Sequence, residues 1–464
     1  METNTIHTNQ AKSLLTQPKF EEEQMKGTLK TKAIRLMAAV AAGATLLSVA
    51  ACGAQPGGGS AKATGANATV WSLTDSTWAS VQQTFEDWNK ANPDAQIKNE
   101  SFANDSYKEK IRTAIGSGNA PTLVLSWGGS PVTDYWTNKN IIDLTSDLDS
   151  VVKEKVLDSV AAEGYRDDKL VAVPVGQVQP AILWTNKAVL KEAGISDAPQ
   201  TWDELLDDVV KLKDAGKTPI ALAGGSKWPY LMWAAYLIDR IGGPDVMQNI
   251  LDGKKDAWSD PAVIEAMTKI QDLVDAGAFG DSYQSMSADD KKDTALLANG
   301  QAGFDLMGSW VYADFGTINA DFAKNDLGYA AFPAVEGGKG DPSMLTGNLA
   351  NYWSVAASAG KESQQTAIKY LKENTYSDGI VDGLLSSGGV PPVKGIEDKV
   401  KSADDGTGFL TYVYDSVKNA SNYQLSLDVA LPADQGQALL NNLEQVFLKQ
   451  ITPQQFADAM NKTL

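Results

Sequence analysis

Short β-branched runs alternate with amphipathic stretches along most of this chain, and that alternation limits its possible folds more than any single motif. "ATVWSL" (68–73) reads as a strand. Residues 76–93 read as a helix in which Trp78, Val81, Phe85 and Trp88 recur at intervals of three and four, the spacing of one helical face. Pro93 follows its end. "AQIKNESF" gives a second strand, "SYKEKIRTAIGSG" (106–118) a helix closed by Gly116 or Gly118, and "PTLVLSW" (121–127) a buried third strand. "KLVAVPV" and "PAILWTN" are further strands. In 201–216, Thr201 and Glu204 form a capping box and Gly216 stops the helix. "TPIALAG" follows as a strand. Strand–helix–strand order implies right-handed parallel units and an α/β architecture.

In open α/β sheets, ligands bind outside the carboxyl ends of the strands. The residues after each expected strand therefore carry the most weight. They include Asp75 and Ser76, then Trp127 and Gly129, then Gln177 and Gln179, then Trp228 and Tyr230. "DLMGSWVYADF" (305–315) adds Trp310, and "LTGNLANYW" (345–353) adds Asn348, Asn351 and Trp353. Small residues, amides, hydroxyls and tryptophans dominate, with few charges. Gly permits close backbone approach, amides and hydroxyls are neutral donors and acceptors, and indoles are flat apolar platforms. The mixture suits a neutral, hydroxyl-rich ligand with flat C–H faces, which describes a sugar.

The 464 residues contain one histidine, His7, and one cysteine, Cys52. Lys26, Lys30, Lys32 and Arg35 precede an apolar run, Leu36 to Ala51, that closes in small residues, the layout of a secretory signal. The run has 16 residues, short of the ~20 that span a bilayer, and lacks the periodicity of a core helix. Met25 is an alternative start, because "EEE" at 21–23 fits poorly before a basic segment. Beyond residue 51 no histidine remains, and Cys52 is the only thiol. Ser-His-Asp and Cys-His catalysis and His/Cys zinc sites are thereby excluded. No cofactor or metal site is expected. Removing the leader's six basic and four acidic residues from 40 and 58 leaves 34 and 54, a net charge of −20. Such a surface repels nucleic acid.

"SVAAC" is similar to a bacterial lipobox. The resemblance implies cleavage after Ala51 and a diacylglycerol on Cys52, which would hold the chain on the outer face of the cell membrane. The Gly/Ala/Ser-rich segment 52–66 then reads as a flexible tether.

The order of the remaining pieces resembles the extracellular solute-binding proteins of ABC importers, in the carbohydrate branch related to maltose-binding proteins. "SYKEKIRTAIGSGNAPTLVLSWGGSPVTDYWTNKNIIDLTSDL" looks like that family's early segment, and "VAVPVGQVQPAILWTNKAVLKEAGISDAPQTWDELLDDVVKLKDAG" is similar to its most specific run. "NGQAGFDLMGSWV" and "LLSSGGVPPVKG" match later motifs. Trp184 stands where the family usually has Tyr, and no Arg or Glu follows Trp127. The resemblance implies a two-lobed, periplasmic-binding-protein-like α/β fold with a hinge and an inter-lobe cleft. The expected lobes are 67–176 with 349–405, and 177–348 with 406–464. The partners are then a carbohydrate, several platforms suggesting an oligosaccharide, and the permease subunits that receive it from a monomer.

Within this frame Trp310, Trp127, Trp228, Tyr230 and Trp353 are candidate stacking residues, with core packing as the alternative for each. Asp75 would take paired hydroxyls or else cap the helix beginning near Thr77. Gln177, Gln179, Asn348 and Asn351 flank crossings, Asp428 is a further carboxylate, and Gly388-Gly389 could offer backbone amides. Trp71, Trp88, Trp202 and Trp233 read as core, Trp184 as core or just behind the site, and Lys291-Lys292 as solvated surface. Two rivals stay open. One is a lipid-anchored glycosidase, which needs two carboxylates ~5–9.5 Å apart, Asp75 with Asp428 being the pair to consider. The other binds a peptide, polyamine or metal. A cationic ligand would want several cleft carboxylates, and the expected loops supply few.

Overall fold

Each amphipathic segment buries the face that its spacing marks. The computed structural model describes residues 65–404 and 406–464; the leader, Cys52 and the tether up to residue 64 lie outside them. The helix Trp78–Ala91 turns Trp78, Val81, Phe85 and Trp88 inward. They meet Trp353 and Tyr370, with ring centroids 5.9 Å apart for Trp78–Trp353, 5.6 Å for Phe85–Trp353 and 5.7 Å for Trp88–Tyr370. Each such aromatic pair adds ~0.5–1.5 kcal/mol beyond the area it buries. In helix Trp202–Asp214 the capping box forms as its sequence dictates, Thr201 accepting from the Glu204 amide and Glu204 from the Thr201 amide. Trp71, Trp88, Trp202, Trp233 and Trp184 are all buried.

Two sheets organise the chain. The first has five strands in the order Ile97–Phe102, Ala68–Leu73, Leu123–Ser126, Asn351–Val355, Val173–Val175. Its first three strands run parallel and Asn351–Val355 runs against both its neighbours. The second orders Tyr423–Leu425, Leu345–Asn348, Gln179–Asn186, Ala302–Gly308 and Thr218–Ala221, with Leu327–Ala330 also paired to Gln179–Asn186. Both sheets are mixed, whereas βαβ alternation alone implies parallel pairing. Hydrophobic period identifies a strand but not its direction. "KLVAVPV" also divides: Lys169–Leu170 pairs with Tyr165–Arg166 in a hairpin, and only Val173–Val175 joins the first sheet.

The chain passes from the first sheet to the second between Val175 and Gln179, and returns between Asn348 and Asn351. These two passes are antiparallel neighbours in both sheets: Asn351 opposes Val175, and Asn348 opposes Gln179. Gln179 Nε2 donates to Asn351 Oδ1 at 2.6 Å where they cross. Gly347 makes the approach possible, because a Cβ there would lie 2.2 Å from the Gln179 carbonyl oxygen.

Trp353 is the hub of the first lobe's aromatic core. Replacing it by Ala is expected to cost ~3–5 kcal/mol, read as a lower denaturant midpoint. An unchanged midpoint would show that the surrounding rings do not depend on it.

Candidate functional site

A cavity opens between the two sheets where strand ends converge. From the first sheet come Asp75, in the turn after Ala68–Leu73, Asn104 and Lys108 on helix Asn104–Gly116, and Trp127 after Leu123–Ser126. Gln177 and Gln179 reach it from the crossing pass, and Asn348 from the return pass. The second sheet's side supplies Trp228, Asp289, Lys291, Asp293, Trp310, Asp314 and Asp428. The space reachable by water centres is about 130 Å³, on the order of ten waters by the ~10–15 Å³ that each needs. At ~30 Å³ of liquid per water that is roughly 300 Å³, the low end of small-molecule sites.

Local sequence explains how the three indoles are set. Trp310 folds back over the end of strand Ala302–Gly308, and only glycine fits beneath it: a Cβ on Gly308 would lie 1.8 Å from Trp310 Cζ3. Ser309 Oγ ties this turn to the Val178 carbonyl at 2.9 Å. Trp228 lies 5.9 Å from Trp310, centroid to centroid, and donates its Nε1 hydrogen to Asp105 at 3.2 Å. Trp127 rests edge-on to Tyr107, and Lys108 Nζ lies 4.9 Å from its ring centre, a cation–π contact.

Bonds across the gap join the two sides. Ser76 Oγ donates to Asp314 at 2.7 Å. Asp105 accepts from Ser226 Oγ at 2.7 Å as well as from Trp228, and its amide donates to Asp289 at 3.2 Å. Lys108 pairs with Asp428 at 3.2 Å. Gln177 Nε2 donates to Thr77 Oγ1 at 3.1 Å.

Aspartates dominate the electrostatics. Asp75 is half-buried by exposed area, but so much protein surrounds its carboxyl that burial pushes it up to about 6, against the Thr77 hydrogen bond and nearby Lys291, with Asp314 adding repulsion. Burial likewise holds Asp293 at about 6 and raises Asp305 behind it well above the carboxylate range. Asp289 is raised by burial and by Asp105. Lys291 pairs with the buried Asp314 at 2.6 Å.

Of the residues singled out in the sequence, Asp75, Trp127, Gln177, Gln179, Trp228, Trp310, Asn348 and Asp428 line the cavity. The others sit elsewhere. Tyr230 is fully buried and stacks on Phe447 at 4.0 Å, because helix Pro229–Gly242 turns it into the core. Trp353 is fully buried in the first lobe. Asn351 stands behind Gln179 and orients it. Ser76 bridges to Asp314 beside the cavity. Gly129 serves close packing, since a Cβ would come 2.0 Å from the Val429 carbonyl oxygen. The Gly388 and Gly389 amides are taken by Leu385 and Leu384 carbonyls at a helix end, so neither is free for a ligand. Lys291, expected as solvated surface, is a wall of the cavity. Asn104, Lys108, Asp289, Asp293 and Asp314 were not evident in the sequence. They lie inside or before helices, so a rule that weighs only strand ends passes over them.

The sequence model of the bacterial extracellular solute-binding protein family matches residues 71–373. The chain belongs to that family. The diacetylchitobiose-binding protein DasA of Streptomyces coelicolor is 27% identical to this solute-binding protein over 374 residues, 78% of this chain and 82% of DasA. A probable sugar-binding periplasmic protein of Rhizobium meliloti is 29% identical over 44% of this chain and 48% of its own length. Among solved structures, a protein from work on xylan utilization by Caldanaerobius polysaccharolyticus superposes with a TM-score of 0.77 at 26% identity, covering 86% of this chain and all of that one. A chitin oligosaccharide binding protein gives the same TM-score at 23% identity, covering 86% and 97%. The solute-binding protein therefore has the two-lobed α/β fold, each sheet being the centre of one lobe.

Two outcomes are expected. Asp105→Ala removes two side-chain bonds across the gap, those from Ser226 and Trp228, so the ligand-free protein should show a larger radius of gyration by X-ray scattering; an unchanged radius would mean that the Asp105 carboxylate does not hold the lobes together. Asp75 has a raised carboxyl, so its ionisation opposes the folded, closed form, with no penalty below about pH 4 and the full penalty above about pH 6. Asp75→Asn should therefore melt at a higher temperature than the parent at pH 7.5, and the gap should close by pH 4. A gap that widens on acidification would reverse this sign.

Proposed function

We propose that this solute-binding protein captures a carbohydrate, an oligosaccharide, between its lobes and hands it unchanged to the membrane permease of an ABC importer. The observation that carries the reading is three indoles, Trp127, Trp228 and Trp310, on one cavity with the amides Gln177, Gln179 and Asn348. Indoles accept the C–H faces of sugar rings, and the amides read hydroxyls, an unpaired buried polar group costing ~1–3 kcal/mol. The relatives named above, a diacetylchitobiose-binding and a chitin oligosaccharide binding protein, support the same ligand class. A sugar seated on one lobe recruits the other, and its contacts with both favour the closed form. The lobes are 67–176 with 349–405, and 177–348 with 406–464. The two paired passes and the stretch near 400–406 form the hinge. Cleavage after Ala51 leaves Cys52 lipidated, which anchors a monomer on the outer face of the cell membrane through 52–66.

Asp75, with a carboxyl held at about 6, has the protonation that a glycosidase acid needs. Asp428, its conceivable partner, is held by Lys108 at 3.2 Å and Ser426 at 2.8 Å. This arrangement favours binding without chemistry. A thermal-shift screen against a glycan panel, on the chain beginning after Cys52, tests it. The expected result is a shift with sugars recovered intact. Released monosaccharides would make the protein an enzyme, and no shift with any glycan would end the carbohydrate reading. Trp310→Ala should abolish most of the best shift; an unaltered shift would remove Trp310 from the site.

A further inference from the structure

The cavity holds more negative charge than its ion pairs neutralise. Five carboxylates line it, Asp75, Asp289, Asp293, Asp314 and Asp428, against two ammonium groups, Lys108 and Lys291. Lys108 is paired to Asp428 and Lys291 to Asp314. Asp75, Asp289 and Asp293 have no ion pair among the described residues.

Asp293 is the sharpest case. It is 1% exposed, lines the cavity, and its Oδ2 has no hydrogen-bond partner among the described residues. Asp305 lies close to it, its carboxyl pushed up by burial and by the charge of Asp293, and its own Oδ2 also lacks a hydrogen-bond partner among the described residues. Sugar hydroxyls would satisfy such oxygens as acceptors but would leave the charge. Protonation meets the need only in part at neutral pH, because Asp293 and Asp75 titrate near 6. Among the described residues no three carboxylates are placed to hold a metal ion. The charge therefore suits a cation that brings hydrogen-bond donors of its own, and an alkylammonium group does so.

Resting on the carbohydrate reading above, we infer that the preferred solute is an amine-bearing carbohydrate, its ammonium group held at the end of the cavity bounded by Asp75 and Asp293. Lys291, paired to Asp314, also acts on Asp75 and competes for it. The indoles and amides serve the uncharged remainder of the ligand. Recognition then divides between a cationic end and a neutral body.

Calorimetric titration at pH 7 tests this with matched pairs: glucosamine oligomers against their N-acetylated and glucose counterparts, and galactosamine against galactose. The amine should bind about tenfold or more tightly, the scale of one charge-assisted hydrogen bond, and the preference should shrink with added salt. Asp293→Asn should remove most of the preference for the amine over its neutral partner. Lys291→Met should increase it, a gain that damage to the fold does not produce. If the neutral glycans bind as tightly as or more tightly than their amines, the inference falls and the carbohydrate reading stands. If neither these pairs nor the wider glycan panel bind, the carbohydrate reading falls and takes the inference with it.

Discussion

The relation between the two sheets depends on the two antiparallel chain passes that join them. They are neighbours in both sheets, with Asn351 opposite Val175 on one side and Asn348 opposite Gln179 on the other. The ribbon that results has few backbone bonds at its waist, and the Gln179–Asn351 side-chain bond spans it. Torsion there would disturb neither aromatic core, and the bonds across the gap, such as Ser76–Asp314 and Lys108–Asp428, oppose it. The same ribbon brings Gln177, Gln179 and Asn348 to the cavity floor. The passes that join the sheets and part of the cavity lining are thus one piece of chain.

Much of the fold was legible because burial follows period. The faces of Trp78–Ala91 and Trp202–Asp214, and the capping box at Thr201, follow from spacing alone. Strand direction did not follow, since a period of two is the same read either way. The site was legible where a residue sits at a strand end, as with Asp75, Trp127 and Trp310. The reading failed where one helical turn decides. Tyr230, two residues after Trp228, points into the core because helix Pro229–Gly242 rotates it there. Lys291 looked like one half of a solvated pair. Its left-handed backbone, at φ 54°, opens the helix Lys292–Ala298 and places it beside Asp314. Such a turn leaves little trace in composition.

The aspartates give the cavity a character that the loop composition did not announce. Local stretches after strands look neutral, yet folding gathers Asp75, Asp289, Asp293, Asp314 and Asp428 from four separate stretches of chain. Charge collected in this way appears only when the segments converge. The buried members are held high by desolvation, and without histidine beyond the leader the cavity's response to mild acid is carried by carboxylates.

Lys108 has two attachments. It backs the Trp127 ring from one side of the gap and pairs with Asp428 from the other. The indole is therefore one-faced, able to receive a guest only on the side away from the ammonium. A shift of Asp428 would also loosen the support behind that ring. Platform and clasp share one fastening, so the setting of the ring and the contact across the gap are adjusted together.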